Sequence, residues 1–199
     1  AKGIDYLVVL SADHGGLDMP ERMDQQAFPA AERADVSLTP ENLSKTVAAK
    51  TGITVEGPLV FGDAPAGDLY VSRKLTPEQR TKVIAALVET LKASPQVADA
   101  VTAEELAAMP LPTGTPQEWN LRKRARLSYQ AGRSGDVLLI LNRAVTPIPE
   151  AMPGAYVATH GSAYDYDRRV PILFRRKGLR PFEQPQPVET VDIAPTLAA

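Results

Sequence analysis

The strongest constraint on this chain is the apolar run over residues 4–10, which ends in Ser11-Ala12-Asp13-His14-Gly15-Gly16. A short run rich in Val, Ile and Leu, stopped by glycine, reads as a buried strand. The turn behind it carries a carboxylate and an imidazole on adjacent residues. Gly15 and Gly16 let its backbone take positive φ and approach a ligand closely. The only other histidine lies far along the chain, in Thr159-His160-Gly161-Ser162. A second apolar run, Val137-Leu138-Leu139-Ile140-Leu141, follows the turn Arg133-Ser134-Gly135-Asp136. A third, Val170-Pro171-Ile172-Leu173-Phe174, has a proline that places it at a strand's beginning or at a sheet edge.

Between these runs the pattern is helical. Thr39-Pro40 has a capping Thr and a Pro at the first helical position, and Gly52 is placed to end that helix. Thr76-Pro77-Glu78-Gln79 repeats the start and adds a capping box. Val83, Ile84, Leu87, Val88 and Leu91 behind it fall on one helical stripe. Thr102 with Glu105 opens a third helix, which Pro110 stops. Residues 53–61, 68–72 and 97–101 are candidate strands. A helix is expected over 121–130, and a last one is expected to start at Asp192. Residues 17–37 read as an ordered loop with one short helix.

The fold class expected from this alternation is α/β. Residues 1–37 and 113–199 form the core, and residues 38–112 form a smaller inserted α+β subdomain with no residue set that suggests chemistry. At 199 residues, 44% hydrophobic and 23% charged, the chain has ordinary globular composition. Its 22 basic and 24 acidic residues leave a charge of −2, so nothing electrostatic favours nucleic acid or an anionic membrane as partner. The basic run Arg122-Lys123-Arg124-Ala125-Arg126 reads as a solvated helix face. With no cysteine there is neither a disulfide framework nor a thiolate metal site. No apolar run approaches the ~20 residues that span a bilayer, and no signal peptide is visible. The chain opens without Met, directly into a strand, and stops inside Asp192-Ile193-Ala194-Pro195-Thr196. It therefore reads as part of a longer protein.

Asp13, His14 and His160 are the candidate metal ligands. Catalytic zinc takes imidazole nitrogen and carboxylate oxygen and keeps one position open. Both histidines stand in glycine-flanked turns beside apolar strands, and ligands outside the carboxyl ends of strands are usual in α/β sheets. Three donors are fewer than two ions need. Asp136 reads as a structural turn residue.

The segment Leu10-Ser11-Ala12-Asp13-His14-Gly15-Gly16 resembles the metal-binding segment of the alkaline phosphatase superfamily. Further matches follow in order. They are Arg133-Ser134-Gly135-Asp136-Val137, the stretch from Thr159-His160-Gly161-Ser162 through Tyr166-Asp167, Val170-Pro171-Ile172, and Val191-Asp192-Ile193-Ala194-Pro195-Thr196. Together these resemble the bacterial, monomeric, threonine-nucleophile alkaline phosphatases, relatives of the nucleotide pyrophosphatase/phosphodiesterases. The resemblance implies a central, mostly parallel sheet flanked by helices, and zinc-dependent hydrolysis of phosphate monoesters through a phosphoenzyme. It implies two Zn2+ ions. Asp13 and His14 would serve the ion that activates the nucleophile, and His160 the ion at the leaving oxygen. Tyr166 and Asp167 would stand behind the ligands or belong to the fold. Small-molecule phosphate esters would be the substrates, in the periplasm or outside the cell.

The family's nucleophile, its remaining metal ligands and the groups that grip a monoester's extra charge have no counterpart here; in the family they precede the Asp13 segment. The missing N-terminal part would be this chain's partner, and the chain alone is expected to be inactive and to bind zinc weakly. A phosphodiesterase or nucleotide pyrophosphatase would use the same ligands. A non-catalytic module that keeps the fold without activity is the competing reading from another class.

Overall fold

The computed structural model describes residues 3–198. In chain order its elements begin with β1 (Val8–Leu10), α1 (Pro20–Gln25), β2 (Glu32–Arg33), α2 (Pro40–Thr51), β3 (Val60–Phe61) and β4 (Gly67–Val71). They continue with α3 (Pro77–Lys92), β5 (Val97–Thr102), α4 (Ala103–Ala108), α5 (Leu121–Ser128), β6 (Val137–Leu141) and β7 (Val145–Thr146). The last are α6 (Asp165–Arg168), β8 (Leu173–Arg175) and α7 (Ile193–Ala198), with short 3-10 turns at Val36–Leu38, Pro116–Glu118 and Thr190–Asp192.

The helix starts form as their capping residues dictate. The Thr39 hydroxyl accepts from the Asn42 N–H, and Gly52 ends α2 in the left-handed region at φ 69°. Capping boxes close α3 (Thr76 with Gln79) and α4 (Thr102 with Glu105). Each satisfies two N–H groups that a helix start otherwise leaves without partners.

Four strands form the main sheet in the order β3-β4-β6-β5, every neighbour antiparallel. Side chains alternate across it. Ala100, Val137, Leu139 and Leu141 join the core under α2 and α3, which also holds Leu43, Val47, Val83, Leu87 and Leu91. Val101 and Ile140 point the other way, into a cluster with Leu106 of α4 and Ala125 of α5. The result is three layers, with β6 buried on both faces.

The α/β class thus stands, while the expected mostly parallel pairing does not describe these residues. Among the described residues only β2 and β7 pair parallel. The reason is physical: a strand covered by helices on both faces needs a continuous apolar run whatever the direction of its neighbours. The sheet also draws on both sides of the expected boundary at 112/113, because β6 lies between β4 and β5.

β1 departs from the buried strand expected over residues 4–10. Only Val8–Leu10 pair, antiparallel with β8. Ile4 is 73% exposed and Leu10 61%. This two-stranded ribbon has no helix layer over it among the described residues. The pairing of β2 with β7 was not expected either; two-residue strands leave no period to read.

Candidate metal centre

Two turns are brought together beyond the carboxyl ends of β1 and β6. The first, residues 11–16, follows β1. The His14 N–H donates to Asp13 Oδ1 at 3.0 Å. The Asp13 carboxyl is held below its ordinary range, first by the N–H of its own residue, then by that of His14 and by the His14 imidazole. It therefore stands ionised, as a metal ligand must be. His14 Nδ1 lies 2.6 Å from the Gly15 carbonyl. A carbonyl only accepts, so Nδ1 is the donor in that contact, and Nε2 lies 3.6 Å from Asp13 Oδ2.

The second turn, around His160, is held by more distant groups. Arg33 forks onto Glu21 and donates to the carbonyls of Ile148 at 3.0 Å and Val157 at 3.1 Å, fixing the loop that leads to His160. Past His160, the Tyr164 hydroxyl donates to the carbonyl of Leu141, the last residue of β6, at 3.0 Å. Burial, and then the neighbouring Tyr166, push the Tyr164 phenol above its ordinary value, so it remains a donor. Arg124 donates to the Ala163 carbonyl at 2.9 Å and pairs with Asp165 at 3.1 Å.

The rings of His14 and His160 stack with centroids 3.4 Å apart and planes 14° from parallel. The structure thus unites Asp13, His14 and His160. In-plane lone pairs on two nearly parallel rings cannot both aim at one ion between their faces. The donor types, carboxylate oxygen and imidazole nitrogen, fit zinc. Among the described residues no three His, Asp or Glu side chains converge on one point.

Tyr166 and Asp167 lie on α6, directly behind both turns. The Tyr166 ring stacks against Tyr164 with centroids 5.6 Å apart. Asp167 is buried; its Oδ2 accepts the Ser162 N–H at 2.7 Å, and its Oδ1 has no hydrogen-bond partner among the described residues. A cleft of about 1030 Å³ opens beside His160 and is lined by Leu139, Leu141, Thr146, Tyr164 and Tyr166. The structural reading of Asp136 agrees with its contacts. Its N–H donates to the Leu69 carbonyl, and its carboxylate accepts from Val71 N–H and Arg80.

Three features escaped the sequence reading. The basic run of α5 is not a solvated face: Arg122 pairs with Asp99, Arg124 with Asp165, and Arg126 donates to the Met109 carbonyl. No local pattern distinguishes an arginine that reaches a distant carbonyl from one in water. The role of Arg33 is hidden for the same reason. Gly15 is the third. A Cβ there would lie 2.0 Å from the Tyr166 carbonyl oxygen, so the turn needs a residue without a side chain.

Over 197 residues, 99% of this chain, it is 50% identical to alkaline phosphatase PhoK of Sphingomonas sp.. The likeness to a bacterial alkaline phosphatase thus runs over nearly the whole chain. Alkaline phosphatase PhoD of Zymomonas mobilis is 47% identical over the whole chain. The crystal structure of alkaline phosphatase PafA superposes on 97% of the chain, and 34% of its own, with a TM-score of 0.74 at 24% identity. That likeness establishes an alkaline phosphatase-like fold. This chain spans about a third of the length of the curated relatives it matches, 35% of PhoK and 34% of PhoD. No family model matches the sequence.

Proposed function

We propose that this chain supplies Asp13, His14 and His160 to a two-zinc site that hydrolyses phosphate monoesters. The observation that carries the reading is the stacking of the two histidines, drawn from opposite ends of the chain onto one point of the fold. The names of PhoK and PhoD, both alkaline phosphatases, support the reaction class. Zinc bound there would polarise a phosphoryl oxygen and lower the pKa of a bound hydroxyl or water. This chain's own part is to present an ionised carboxylate at Asp13 and an imidazole at His14, and to hold His160 beside them. The nucleophile and the remaining ligands would lie outside this chain.

The remaining partner in this reading is further chain of the same protein, seated on the exposed apolar residues of β1 and β8. A periplasmic or secreted location goes with it. No helix among the described residues is long and apolar enough to cross a membrane. Residues 38–112, together with β6, would serve as scaffold.

The test is hydrolysis of p-nitrophenyl phosphate against bis-p-nitrophenyl phosphate by the full-length protein, with and without zinc. Zinc-dependent turnover favouring the monoester is expected. A preference for the diester would move the assignment to the phosphodiesterase branch with the same ligands, and an absence of bound zinc would overturn the ligand assignment.

A further inference from the structure

The short helix α6 touches both ligand turns at once. Its Asp167 carbonyl accepts the Gly15 N–H at 2.8 Å, and its Tyr166 carbonyl accepts the Gly16 N–H at 2.9 Å. These are the two residues after His14. One side chain of the same helix, Asp167, reaches the other turn, where Oδ2 accepts the Ser162 N–H at 2.7 Å, two residues after His160. Two adjacent residues therefore join the Asp13-His14 turn to the His160 turn. The approach on the first side is so close that Gly15 has no room for a Cβ.

We propose that Asp167 is a positioning residue of the metal centre, the side-chain tie that sets the His160 turn at its distance from the Asp13-His14 turn. The inference rests on the zinc reading above. The two ties differ in kind. Backbone carbonyls hold the Asp13-His14 turn and persist whatever side chain residue 167 carries. The His160 turn is tied to α6 by a carboxylate, which a substitution removes. Asp167 is 6% exposed, and Oδ1 finds no hydrogen-bond partner among the described residues. A buried, half-satisfied carboxylate costs stability, so a role beyond packing explains its place better than packing does. Hydrogen-bonding partners behind a metal ligand orient it, and their loss typically lowers metal affinity about 10- to 100-fold.

The test is competitive zinc removal by a chromophoric chelator from the full-length protein, comparing wild type with D167A, D167N and D167E and following thermal unfolding in parallel. In D167A one zinc, the one His160 serves, should weaken by about 10- to 100-fold, while the other stays within about threefold. D167N keeps an amide oxygen for the Ser162 N–H and should restore the affinity to within about threefold of wild type. D167E keeps the charge but moves the oxygen by one methylene, and should weaken the same ion; it carries the test if D167A does not fold. Equal zinc affinity in wild type, D167A and D167E would overturn the proposal and leave the zinc reading intact. So would a parallel loss of both ions that tracks thermal stability, with no rescue by D167N. Wild-type protein that binds no zinc would overturn the zinc reading itself, and this proposal with it.

Discussion

Replacing Asp136 by alanine should loosen the main sheet by a predictable amount. The Asp136 carboxylate sits at the head of β6 and holds two partners from other elements. Oδ2 accepts the N–H of Val71 at 2.7 Å, and Oδ1 accepts from the Arg80 guanidinium of α3. Val71 is only 3% exposed, so its N–H has little access to water once the carboxylate is gone. Leaving a buried donor unsatisfied costs about 1–3 kcal/mol. The Arg80 pair adds less, because the Arg80 side chain is 40% exposed; a pair in that setting is worth roughly 0–1 kcal/mol. The sum for D136A is about 1–4 kcal/mol. In D136N the amide oxygen still accepts from Val71, so only the smaller part is lost, about 1 kcal/mol or less. The assay is hydrogen exchange read by mass spectrometry on peptides covering β4, with urea unfolding alongside. D136A should accelerate exchange in β4 far more than D136N. Equal effects of the two variants, or a D136A cost below about 0.5 kcal/mol, would refute the claim that the Val71 N–H decides the matter.

Two further outcomes follow from the same structure. Leu87, fully buried where α3 meets the sheet, should cost about 2–5 kcal/mol on substitution by alanine, measured by urea unfolding. The Asp99–Arg122 pair should make stability depend on pH. Burial alone would raise the Asp99 carboxyl, but hydrogen bonds and charge from Arg122, with the Ala100 N–H, hold it below 3.8. A folded value below the unfolded one means the contribution is complete above about 3.8 and is lost as pH falls through the lower folded value. D99N should therefore remove part of the acid dependence of stability while R122A keeps the carboxyl and raises its titration, a pair of acid-unfolding curves that settles the sign.

Much of the local structure was legible in the residues. Thr39, Gly52, Thr76 with Gln79 and Thr102 with Glu105 act within one helical turn, so their spacing alone places α2, α3 and α4. The site was legible in parts. The turn at Asp13 and His14 and the turn at His160 each announce themselves by residue type and glycine. Arg33, Arg124 and Asp167 do not, because their partners lie on other elements and leave no mark on the neighbouring sequence. The exposure of β1 was hidden as well: an apolar run records what a strand would bury, not what covers it.

By itself, then, the amino-acid sequence determined where α2, α3 and α4 begin, that 137–141 is a strand, and which side chains carry donor atoms suited to a metal. These are short-range matters of capping, period and donor type. The tertiary structure decided that β6 lies between β4 and β5 with antiparallel neighbours, and that α6 ties two remote turns until the rings of His14 and His160 stack. Strand direction and the meeting of distant turns depend on which surfaces pack and which N–H groups find acceptors across the fold. Those are long-range balances that no window of the sequence contains.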